Sequence, residues 1–147
     1  MKRGFRKGFT LIELLIVLAV IAALLAVVTP IALNAVRRAN LTKIASNLRN
    51  IKSAAETYVT MTDDDLSDGI EDLLTTLVDD GYLTTSPGDD YSAALEYDED
   101  TGNITVTIEY SGGDASVEDL QEIYSEVTNV GTDEDPVPGV EFTIKSW

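Results

Sequence analysis

Glu13 is the side chain in this sequence with the strongest reason to do chemistry. It stands at the edge of an apolar run, because the 23 residues from Leu14 to Val36 carry no formal charge. A carboxylate near the centre of a membrane span costs about 2.5–3.5 kcal/mol, and a plain anchor needs no acid at its edge. On a helix Glu13 shares a face with Phe9, four residues earlier, and a carboxylate in a first turn suits the positive end of the helix dipole. The plain alternative is a solvated interfacial acid. A second oddity is Pro30, late in the same run, which removes a backbone donor and crowds the preceding turn.

Two acidic loops offer oxygen ligands of the kind calcium takes. Asp98-Glu-Asp-Thr-Gly-Asn103 has a D-x-D-x-G look, with Asp98 and Asp100 as candidate ligands. Its glycine falls one place early for a calcium-binding helix–loop–helix and no distal glutamate fits, so an ordinary Asp/Gly turn is the stronger reading. Asp133-Glu-Asp-Pro136 supplies Asp133 and Asp135, for which solvated acid is the stronger reading. The chain has no His and no Cys, which removes the commonest metal ligand, the commonest general base and any disulfide. Without a glycine-rich phosphate loop or converging acids, no catalytic constellation is present and no cofactor is expected.

The elements that must position these residues follow from periodicity. At ~1.5 Å per residue, Leu14–Val36 as a helix reaches about 34 Å, enough to cross the hydrocarbon core of a bilayer. Beyond it, residues 37–60 predict an amphipathic helix, with Leu41, Ile44, Leu48, Ile51, Ala55 and Tyr58 on one stripe. Fewer than three heptads and an adjacent globular segment favour a sheet, rather than a second helix, as the partner of that stripe. The expected spine is one helix from about Thr10 to Thr60.

Met61–Gly69 reads as an acidic turn and Ile70–Val78 as a short helix stopped by Gly81, with Leu73, Leu74, Leu77 and Val78 inward. Ala93–Tyr97 and Asn103–Tyr110 predict a β-hairpin, its second arm alternating Ile104, Val106, Ile108 and Tyr110 with polar residues. Ser116 is placed to cap a helix over Val117–Val127, with Asp119 completing an approximate capping box. Val140–Ile144 closes as a strand with Val140, Phe142 and Ile144 inward. Trp147 is either a core lid or an exposed contact. The fold class is α+β, a long N-terminal helix packed against a small antiparallel sheet with short accessory helices.

Charge is strongly divided. The net charge is −16, yet residues 37–60 carry Arg37, Arg38, Lys43, Arg49 and Lys52 against Glu56 alone. From Met61 onward Lys145 is the single base among 24 Asp and Glu. An acidic head excludes a phosphate-binding surface, so nucleic acid is not an expected partner. A solvated surface accounts for the acidity; attraction between basic stalks and acidic heads of neighbouring subunits is the sharper alternative.

Lys7-Gly8-Phe9-Thr10-Leu11-Ile12-Glu13-Leu14-Leu15 resembles the class III signal of type IV pilins and their relatives, the secretion and competence pseudopilins. The resemblance is close over residues 1–60 and architectural beyond, where Leu77-Val-Asp-Asp-Gly-Tyr-Leu83 with Pro87 is weakly similar to the family's connecting loop. It implies a leader of residues 1–8, cut by a prepilin peptidase between Gly8 and Phe9 on the cytoplasmic side. Phe9 would then be the N-methylated terminus, Glu13 the acid used in assembly, and Pro30 the site at which the helix bends or loosens. Without the leader's Lys2, Arg3, Arg6 and Lys7 the charge becomes −20.

The resemblance also divides the chain into a filament-core helix over 9–36, an amphipathic helix over 37–60 and an acidic head over 61–147. It implies a homo-oligomeric filament, an assembly ATPase and a platform protein as partners. The precursor would be a single-pass protein of the inner (cytoplasmic) membrane and the product a surface pilus for adhesion, motility or DNA uptake. A pseudopilin of a type II secretion or competence system, in which a comparable loop binds calcium, is the neighbouring expectation. The expectation from another class is a membrane-anchored calcium-binding or adhesive module that does not polymerise. Lys and Arg flank both ends of the span, so the cleavage signal rather than the positive-inside count sets the orientation. A secretory signal peptide would be cut after its apolar run, not before it.

Overall fold

The computed structural model describes residues 9–62, 66–132 and 134–145. Gly8, Asp133 and Trp147 therefore lie outside the described residues. The chain forms two compact units, one ending at Ala39 and the other beginning at Asn40. A single helix, α1 (Leu11–Met61), contributes to both.

In the first unit α1 is apolar all round. It is long and apolar enough to cross a membrane by length and composition, and none of the qualifying stretch is buried. Leu11, Ile12, Leu14, Leu18, Leu25, Ile31 and Val36 are each more than two-fifths exposed. A helix without a polar face needs lipid or other protein around it.

The second unit is built on the stripe of α1 from Leu41 to Tyr58. Leu41, Ile44, Leu48, Ile51, Ala55 and Tyr58 are all buried, joined by Ala45 and Ala54 on the same side. They share one core with the inner face of a four-stranded antiparallel sheet in the order β1-β2-β4-β3. The strands are β1 (Tyr91–Asp98), β2 (Asn103–Tyr110), β3 (Thr128–Asn129) and β4 (Pro138–Lys145). Alternation fixes the faces: Ile104, Val106, Ile108 and Tyr110 are buried and the residues between them are not. Tyr91 pairs with Tyr110 and Asp98 with Asn103 across the hairpin, while Val106 pairs with Phe142 across β2 and β4. Each fully buried Leu or Ile, such as Leu48 or Ile108, contributes roughly 1.5–3 kcal/mol.

Two short helices differ from their sequence-based limits. The helix expected over Ile70–Val78 is α2 (Leu73–Asp79). Ile70 instead exchanges backbone hydrogen bonds with Leu95, at 2.7 and 2.8 Å, as an isolated bridge beside β1. Asp72 then caps α2, its carboxylate accepting from the Thr75 amide at 3.1 Å and the Thr75 hydroxyl at 2.7 Å. The helix expected over Val117–Val127 stops as α3 (Val117–Gln121). Its start is as expected, with a reciprocal capping box between Ser116 and Asp119. It ends early because the Ile123 carbonyl accepts from Arg49 and the Gln121 side chain donates to the Val127 carbonyl, both at 2.8 Å. Those bonds turn the chain toward the sheet edge.

Candidate assembly site

The residues from Phe9 to Glu13 build a helix start. Thr10 precedes the first helical residue, and Glu13 is three positions on, the T-x-x-E spacing of a capping box. The Glu13 Oε2 accepts from the Thr10 amide at 2.8 Å and from the Thr10 hydroxyl at 2.7 Å. In return the Glu13 amide donates to the Thr10 hydroxyl at 3.3 Å. Two helix-start donors are thereby satisfied, and both carboxylate bonds fall on one oxygen. Oε1 is left to accept from another donor. Phe9 stands before the helix and is 78% exposed.

Thr10 is the residue that sequence reasoning missed. Its signal is the T-x-x-E spacing of Thr10-Leu-Ile-Glu13.

Pro30 lies inside α1, and the helix is continuous through it. It has no N–H to offer the Ala26 carbonyl. One residue earlier, the Thr29 hydroxyl donates back to the Leu25 carbonyl at 2.7 Å, a bond that weakens and tends to bend a helix turn. Adjacent carbonyls of the same turn are thus one short of its backbone donor and one shared with a side chain.

Asp98 and Asp100 belong to one loop and Asp135 to another, while Asp133 lies outside the described residues. Asp98 closes the hairpin turn: Oδ1 accepts from the Asp100 and Thr101 amides at 2.9 and 3.2 Å, and Oδ2 from the Thr101 hydroxyl at 2.7 Å. Those bonds, the Thr101 hydroxyl foremost, hold the Asp98 carboxyl below the usual aspartate range. Asp135 belongs to a separate loop, where its amide donates to the Thr132 hydroxyl at 3.0 Å. Among the described residues no three acids, histidines or cysteines are grouped to hold a metal ion.

An apolar helix leading into a second helical half packed on a small antiparallel sheet is the α+β, pilin-like architecture. Residues 3–29 match the family described as the prokaryotic N-terminal methylation motif. This is the class III signal, consistent with the type IV pilins and pseudopilins, a family of structural proteins rather than enzymes. It implies prepilin-peptidase processing and fits a membrane-anchored precursor. No curated protein and no solved structure matches the chain.

Proposed function

We propose that this chain is a structural subunit of a type IV pilus, drawn from the inner membrane into a surface filament. The observation that carries the reading is Glu13: a carboxylate with one oxygen capped by Thr10 and the other available, at the start of a helix whose apolar first half is exposed. Cleavage between Gly8 and Phe9 creates an amine beside that carboxylate. In a bundle of such helices, a neighbour's Phe9 amine and Glu13 neutralise two charges that are each costly in an apolar core. The pairing fixes the height at which a subunit docks, because any other height leaves the acid alone.

Apolar contacts between helices replace contacts with lipid, so association draws on close packing more than on hydrophobic transfer. Pro30 and Thr29 supply a turn that can loosen as helices adjust to one another. A prepilin peptidase, an assembly ATPase and a platform protein do the remaining work, and the role requires no cofactor.

The test is mass spectrometry of the N-terminus from sheared surface material and, separately, from membranes. A peptide beginning at N-methylated Phe9 in sheared filaments is the expected result. The same peptide confined to membranes assigns the chain to a pseudopilus instead. An intact Met1 start in both fractions overturns processing altogether.

A further inference from the structure

The sheet has an unfinished edge. β4 is paired with β2 along its length on one side, from Asn103↔Lys145 to Glu109↔Gly139. On the other side β3 covers only Pro138 and Gly139. The ladder stops there because the Val127 carbonyl accepts from Gln121 instead, and the chain before it turns under the sheet to bring Glu126 to Lys52. From Val140 to Lys145, no strand among the described residues pairs with the outer edge of β4. Phe142 and Ile144 on the inner face are only half-buried, whereas Val140 is 1% exposed.

The outer face of this edge reads Glu141, Thr143, Lys145, all exposed. The two charges are about 13 Å apart along the strand, too far to pair with each other. Their neighbours on β2 are Thr107 and Asn103, which are uncharged. No ion pair holds either charge among the described residues. A lysine on an open edge commonly wards off foreign strands. A glutamate four residues earlier changes what this edge accepts.

We propose that β4 pairs antiparallel with β4 of a second copy of this chain, about a twofold axis at Thr143. A twofold that keeps both apolar faces on the same side of the joined sheet must centre on a residue, since paired residues share a face. Centring on Thr143 sets Glu141 opposite the second copy's Lys145 and Lys145 opposite its Glu141. It also sets Thr143 opposite itself and Phe142 opposite Ile144. Opposite charges, paired threonines and an aromatic beside a β-branched residue are each favourable cross-strand pairs. Centring on Phe142 or Ile144 matches neither charge. The occupant is therefore this same sequence. The contact involves neither the leader nor α1, so it stands or falls apart from the role of Glu13.

The chain has no native cysteine, which makes the test direct. In antiparallel pairs, directly opposed residues have Cα atoms about 4.5–5.5 Å apart, within disulfide range. Full-length Thr143→Cys in detergent should oxidise to a disulfide dimer, at least about fivefold more than Glu96→Cys on the solvent face of β1. Adding Glu141→Lys turns both charge pairs repulsive and should cut cross-linking by about fivefold or more. The double exchange Glu141→Lys with Lys145→Glu should restore it. Cross-linking of Thr143→Cys no greater than of Glu96→Cys overturns the proposal, as does indifference to the charge reversal. A product of any mass other than two copies of the chain also overturns it.

Discussion

The guanidinium of Arg49 lies 4.4 Å from the centre of the Tyr124 ring while donating to the Ile123 carbonyl at 2.8 Å. One turn on, Lys52 approaches Glu126 at 2.5 Å, Glu56 at 3.8 Å and the Phe142 ring at 5.4 Å. Two of the five bases between residues 37 and 60 thus hold their own head onto α1. Any attraction between basic stalks and neighbouring acidic heads should weaken as salt rises.

Acid should loosen this clamp. Glu126 accepts from Lys52 and from the Tyr124 hydroxyl, and those bonds, Lys52 first, hold its pKa below the ordinary glutamate value of 4.5. A depressed carboxylate adds stability above its unfolded pKa and loses it as pH falls through the folded one. Glu126→Gln should melt below the native chain at pH 7, followed by near-ultraviolet circular dichroism. The gap should close as pH drops below 4.5. A gap that stays the same at every pH would show that the carboxylate's charge does not matter.

Alkali should act on the tyrosines in the opposite sense. Burial first, then hydrogen bonding to Asp114 and Glu126, raises the pKa of Tyr110 and Tyr124 above the ordinary 10. Stability from a raised pKa is intact below pH 10 and declines above it. Absorbance at 295 nm should show part of the tyrosine signal titrating late, together with unfolding. Titration of all six tyrosines as one group near pH 10 would contradict the packing described.

Gly139 is required where three strands meet. A Cβ there would lie 2.2 Å from the Ile108 carbonyl and 2.4 Å from a Val130 methyl. Gly139→Ala should cost about 2 kcal/mol and lower the melting temperature of the head by roughly 8–16 °C. A change within 2 °C would mean that β4 shifts without penalty.

The hairpin, the buried stripe of α1 and the Ser116 cap were legible in the sequence because each rests on local spacing. The ends of α2 and α3 were not, because they are set by partners distant in sequence. Ile70 leaves a helical pattern to pair with Leu95, and Arg49 takes the Ile123 carbonyl from 74 residues away. Glu13 was legible twice, from its charge at the edge of an apolar run and from the Lys7–Leu15 motif around it. Thr10 was overlooked because its role is to make a satisfied local bond.

The Thr10 cap has its own signature. Thr10→Ala should speed exchange of the Glu13 amide, which donates to the Thr10 hydroxyl, about fivefold, the equivalent of ~1 kcal/mol of capping. Unchanged exchange would show that the first turn is held by its surroundings instead.

Processing and assembly should separate by mutation. Gly8→Ala should leave the full-length chain uncut, read by N-terminal mass spectrometry. Glu13→Ala should be cut normally yet yield at least about tenfold less sheared filament, since one unpaired charge per contact is costly in an apolar core. Normal filaments from Glu13→Ala would remove its assembly role.

The border between the two compact units falls at Ala39 and Asn40, within an unbroken helix rather than in a loop. The head therefore has no clean hinge at which recombination could detach it. A graft that begins after Met61 would arrive without Leu48, Ile51 and Tyr58, and so without one wall of its own interior. Exchange of heads between such chains must carry about six turns of helix with them. The length of that shared helix then limits which heads and which stems can be inherited separately.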